Sequence, residues 1–80
     1  MLKPHVNRLA MICADIRDSE LKIIVKSIHQ YIQNGVLDKD AYFRKFVDAI
    51  NAKYDIPKDY RMIEHAVLLE AARRFSNQED

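Results

Sequence analysis

Glycine, proline and cysteine are nearly missing from this 80-residue chain, which has one glycine, two prolines and one cysteine. Turns consume glycine, proline and asparagine, and a sheet protein of this size needs several of them. The scarcity argues against a many-stranded fold and for a few long elements. A single glycine excludes a glycine-rich phosphate loop, and no glycine-containing elbow presents a serine. The lone Cys13 excludes an internal disulfide and is compatible with a reducing compartment.

Charge of one sign is also lacking. The formal net charge is +1. Six bases and five acids fall in the first forty residues, and seven of each in the second forty. Neither half generates a long-range field that would gather polyanions. No apolar run approaches the ~20 residues of a membrane span. The run Leu9 to Ala14 has six residues, shorter than the ~7–15 of a signal-peptide core, and Asp15 follows it directly. The chain therefore reads as cytoplasmic, without a signal peptide or membrane anchor.

What is present suits a folded domain: 49% of residues are hydrophobic and 31% charged, too apolar for a disordered tail. Eighty residues make one domain with one core layer and a net stability of about 3–5 kcal/mol. There is no internal repeat, low-complexity segment or dividing linker. Apolar periodicity predicts four helices, over about 4–16, 19–34, 39–54 and 57–75, with 76–80 as a polar, frayed tail. Leu2, Val6, Leu9, Cys13 and Ile16 form the stripe of the first. Leu21, Ile24, Val25, Ile28, Tyr31 and Ile32 share a face of the second, which Asp18 or Ser19 caps and Gly35 ends. Asp38 is the expected cap of the third, whose face is Phe43, Phe46, Val47, Ile50 and Tyr54. Pro57 is expected to open the fourth, and Ile56 before it to be non-helical. The expected fold is all-α, a compact bundle of four helices with short loops.

The stretch KYDIPKDYRMIEH, Lys53 to His65, interleaves tyrosines with bases. Tyr54 and Tyr60 fall on core faces, Asp59 suits a first helical turn and Pro57 an entry position. The stretch reads as a joint between helices rather than a binding site.

Most chemistries find no support in the spacing. His5, Cys13, His29 and His65 include no pair at helical or C-x-x-C metal-ligand spacing, so no metal site is expected. Cys13 lies in an apolar stripe, the place of a small buried hydrophobe rather than a nucleophile. Glu64 falls near the apolar face of the fourth helix and reads as a carboxylate at the core's edge. Glu70, four residues before Arg74, reads as a surface ion pair. The chain is small for an enclosed pocket. It reads as a non-enzyme without a cofactor.

Two binding readings remain. The fourth helix has a second apolar stripe, Met62, Ala66 and Leu69, roughly opposite Tyr60, Ile63, Val67, Ala71 and Phe75, with His65 and Arg73 flanking it. A helix apolar on two sides is either packed centrally or committed in part to something outside the domain. In the second case Met62, Ala66 and Leu69 dock on another protein or a second copy of the chain, with Arg73 and Arg74 as polar anchors and Met11 and Ile12 extending the surface. The expected function is thus that of a non-catalytic adaptor, accessory protein or inhibitor. The alternative is a nucleic-acid-binding regulator using Arg44, Lys45, Lys22 and Lys26. Its segment IQNGVLDKDAYFRKF resembles a helix-turn-helix only loosely: Tyr31 is large for the position four before the glycine, and the turn is long. The bases also alternate with acids, and no helix carries a basic stripe.

Overall fold

The computed structural model describes residues 3–77, with side chains over 7–76. Four α-helices account for most of them: α1 (Lys3–Ala14), α2 (Asp18–Asn34), α3 (Tyr42–Tyr54) and α4 (Tyr60–Asn77). There is no strand among the described residues. The chain is an all-α four-helix bundle, as the spacing and the shortage of turn residues require. Leu2 and the side chains of His5 and Val6 lie outside the described residues, as do positions 78–80 of the tail.

The apolar stripes meet in one core. Leu9 and Cys13 come from α1, Leu21, Ile24 and Ile28 from α2, Phe43, Val47 and Ile50 from α3, and Ile63, Val67 and Ala71 from α4. α2 packs against both α3 and α4, and α1 packs against α4. α4 is therefore shared between two neighbours, which accounts for part of its apolar breadth. The aromatic centre is Phe43, whose ring lies 6.3 Å from that of Tyr31 and 6.0 Å, edge-on, from that of Tyr60. Two stripe members escape this core. Ile32 is 57% exposed and Phe75 39% exposed, both toward the ends of their helices.

The helix ends differ from expectation where tertiary contacts replace local ones. α1 stops at Ala14 rather than Ile16, because the Asp15 and Ile16 N–H groups donate to Ile12 and Cys13 in a tightened last turn. Neither Asp18 nor Ser19 caps α2: Arg17 holds the cap position without a side-chain bond. Asp38 does not cap α3. The chain turns at Lys39–Asp40, and α3 begins at Tyr42 behind Ala41, which has no capping group. The missing acceptor comes from α2, where Ser27 Oγ accepts the Phe43 N–H at 3.0 Å in the interior. Gly35 ends α2 as expected, at φ 73°, with its N–H donating to the Tyr31 carbonyl.

The 55–59 joint is built the same way. Asp55 closes α3 in the left-handed region at φ 56°, its N–H donating to the Asn51 carbonyl. Asn51 Nδ2 donates to the Ile56 carbonyl at 2.9 Å, and the Ile56 side chain is fully buried. Ile56 is non-helical, as the following proline requires. Pro57, however, does not open α4. Asp59 does, with Oδ1 accepting the Met62 N–H at 3.1 Å and its carbonyl accepting the Ile63 N–H.

Candidate functional site

α4 presents two faces. Ile63, Val67 and Ala71 point into the core and are buried. Met62, Ala66 and Leu69 point elsewhere, and α1 covers them only in part. Met62 and Ala66 are half-buried, while Leu69 is 56% exposed. With Leu9 and Ala10 of α1 these three line a groove of about 570 Å³, and Arg61, His65 and Arg73 border it. The second stripe is thus neither fully core nor fully free. Ala10, exposed on α1, is one of the two described α1 residues that line the groove. Sequence spacing singled out Met62, Ala66, Leu69 and Arg73 but not Arg61 or Ala10. Arg61 and His65 are four residues apart, each directly preceding a groove residue, and that repeat was the available signal.

Arg74 does not join them. Its Nε and Arg73 Nη2 both donate to Glu70 Oε2, the latter at 2.6 Å, and Arg73 Nε donates to Oε1 at 3.2 Å. Arg74 Nη1 reaches Asp18 Oδ1 at 2.8 Å, and Nη2 reaches the carbonyls of Cys13 and Ala14 at 3.0 and 3.2 Å. These carbonyls lie at the C-terminus of α1, where a cation is favoured by the helix dipole, and the Cys13 carbonyl also accepts the Ile16 N–H. One guanidinium thus ties the end of α1, the start of α2 and the body of α4. Its contacts make it a structural clasp, while Arg73, 58% exposed at its side chain, lies at the groove with Arg61. The Glu70–Arg74 pair is corrected. Glu70 is only 7% exposed, so it is an interior pair with two arginines on one carboxylate. Hydrogen bonds from Arg73 hold its pKa below the ordinary glutamate value, against the opposing effect of burial and with the help of Arg74.

Cys13 lies beside this cluster, fully buried. Burial first, and the Glu70 charge second, push its thiol up to about 11, with Arg74 acting the other way. A thiol so protonated is a poor nucleophile. Glu64 is half-buried, and His29 and His65 are exposed. Among the described residues, no three histidine, cysteine or acidic side chains gather in a way that could hold a metal ion.

Met11 and Ile12 do not extend the groove. Met11, 72% exposed, lines a separate shallow hollow with Arg8, Ile12, Asp15 and Tyr54. The bases are scattered as well. Lys22 and Lys26 are exposed on α2, Lys45 is exposed on α3, and Arg44 is half-buried. Lys26 shares its hollow with Asp38 and Asp40. The residues of the 53–65 stretch mostly serve the joint. The Tyr54 carbonyl accepts Arg8 Nη2 at 2.6 Å, Lys58 pairs with Asp48 at 3.1 Å, and Asp59 caps α4. Only Arg61, Met62 and His65 turn to the groove, which Asp59 also borders. No helix among the described residues is long and apolar enough to cross a membrane. No protein-family model matches the chain, and neither does any curated protein or solved structure.

Proposed function

We propose that this chain is a non-catalytic docking domain, an adaptor, accessory protein or inhibitor that receives an apolar segment of another protein in the groove between α1 and α4. The observation that supports it is Leu69. It is a large aliphatic side chain, 56% exposed, beside half-buried Met62 and Ala66 in a groove bordered by charged groups. An apolar surface rimmed by polar groups favours protein partners, and methionine adapts to their irregular shapes. Covering what remains exposed of Leu69 contributes about 1 kcal/mol to binding, half the value of a fully buried leucine.

Leu69→Glu tests the reading. Tagged wild-type chain and the variant are used to capture partners from native lysate, with and without nuclease. Both are also unfolded in urea. The expected result is a nuclease-resistant protein partner on the wild-type chain, its loss on Leu69→Glu, and a urea midpoint close to wild type. A variant that unfolds would make Leu69 a core residue, and one that keeps the partner would move the interface elsewhere. The nucleic-acid reading through Arg44, Lys45, Lys22 and Lys26 draws less support, because Arg44 is half-buried and Lys26 sits with two carboxylates. It predicts recovery that disappears with nuclease and affinity that falls steeply with salt.

A further inference from the structure

The groove has a chemistry that narrows its occupant, granted the docking reading. Its floor is Met62, Ala66 and Leu69, and its border carries Arg61 and His65 on one flank, Arg73 at the far end, and the carboxylates of Asp59 and Glu70. The carboxylates nearby are already engaged. Asp59 caps α4, and Glu70 holds both Arg73 and Arg74. Arg61 makes no ion pair among the described residues, and Arg73 keeps further N–H donors after its two bonds to Glu70. The exposed charge of the border is thus two arginines against one carboxylate, Asp59, whose Oδ1 is already bonded, while Glu70 is only 7% exposed.

The groove also says how the occupant's backbone must be satisfied. Its walls are two helices, whose N–H and C=O groups along the groove bond internally. It offers no free sheet edge, so an extended peptide would bury backbone groups without partners. A helix brings its own backbone bonds. From Asp59 to Arg73 the groove follows α4 for roughly 21 Å at ~1.5 Å per residue, the length of about four helical turns.

We propose that the groove takes an amphipathic helix of another protein, about four turns long, whose apolar stripe covers Leu69 while flanking carboxylates meet Arg61 and Arg73. A second copy of this chain is a poorer occupant. It would bring its own exposed Arg61 and Arg73 to the interface, where an acidic helix brings carboxylates.

The test uses two fluorescein-labelled synthetic helical peptides of about 15 residues. Both carry leucines at i, i+3, i+4 and i+7. One is flanked by glutamates and the other by lysines. Anisotropy titration against the full chain is expected to show the glutamate peptide binding about tenfold more tightly, from two rim contacts that turn from attraction to repulsion. Arg61→Glu should narrow or reverse that preference. Arg61 makes no ion pair among the described residues, so this variant keeps the fold, which urea unfolding checks. Leu69→Glu should weaken both peptides. Equal binding of the two peptides to the wild-type chain would overturn the acidic helix and leave the docking reading standing. Binding of neither peptide at millimolar concentration would overturn the helical occupant, while the capture experiment with Leu69→Glu still decides the docking reading separately. A chain that sizes as a dimer, and as a monomer after Leu69→Glu, would replace the acidic helix with a second copy.

Discussion

Replacing Ser27 with alanine isolates one contact between two helices. Ser27 Oγ accepts the Phe43 N–H at 3.0 Å in the interior, and Ala41 at the cap position supplies no bond of its own. Without the hydroxyl a buried donor is left unpaired, at a cost of about 1–3 kcal/mol. Alanine in mid-helix returns ~0.5 kcal/mol of helix propensity. The expected net loss is about 0.5–2.5 kcal/mol. With a urea dependence of ~1 kcal/mol per molar for so small a domain, the midpoint should fall by roughly 0.5–2.5 M with an unchanged slope. Ala41 already has the extended conformation of a helix cap, at φ −62° and ψ 136°. Ala41→Ser should therefore offer a local acceptor, and Ser27→Ala should cost about 1 kcal/mol less in that background. Circular dichroism through the urea titration reads all four proteins. If Ser27→Ala has the wild-type midpoint, the start of α3 does not depend on α2; if it costs the same in both backgrounds, the Ala41→Ser hydroxyl does not replace the bond.

Three further outcomes follow from the helix ends. Arg74→Lys keeps the charge, but one ammonium cannot span Glu70, Asp18 and the α1 carbonyls as the guanidinium does. A clear fall in Tm by calorimetry is expected, and an unchanged Tm would refute the clasp. Asp55→Gly should stabilise by about 0.5–1 kcal/mol, because glycine enters the left-handed region without the strain a side chain brings. A lower urea midpoint would show that the Asp55 side chain matters more than its backbone. Glu70 has a folded pKa below its ordinary 4.5, so its contribution is complete above that value and is lost as pH falls through the lower folded one. The stability gap between wild type and Glu70→Gln should be widest above pH 4.5 and close in stronger acid. A gap constant from neutral pH to pH 2 would contradict the pairing.

The helices were legible because Leu21, Ile24 and Ile28, or Phe43, Val47 and Ile50, repeat at the helical period, and one glycine leaves little else to build. Gly35 and Ile56 were legible for local reasons: a left-handed cap and the residue before a proline. The failures share one cause. Asp38 and Pro57 are sound local signals, but Ser27 supplies the acceptor for α3 from another helix, and buried Ile56, held by Asn51, delays α4 until Asp59. Glu70 and Arg74 have the spacing of a solvent-facing pair, and spacing cannot show that the ends of α1 and α2 close over it. At the groove, the stripe of Met62, Ala66 and Leu69 was visible. Its degree of cover was not, because that depends on how α1 packs against α4. Arg61 was missed because it lies beside the stripe rather than in it.

The position of α4 has a consequence for how the protein is made. α4 supplies Ile63, Val67 and Ala71 to the core and packs against both α1 and α2, yet it is translated after them. A nascent chain can pair α2 with α3, whose Ser27–Phe43 bond spans 16 residues. α1 is tied to α3 by the Arg8–Tyr54 bond, which spans 46 residues, and to α4 by the Arg74 link to the Cys13 carbonyl, which spans 61. Closing a loop of that length is an entropic step that must precede its reward. Until α4 has left the ribosome, Leu9 and Cys13 lack the share of their cover that α4 gives them. A ribosome stalled before Arg74 would therefore hold an incompletely packed core, the kind of exposed apolar surface that chaperones recognise.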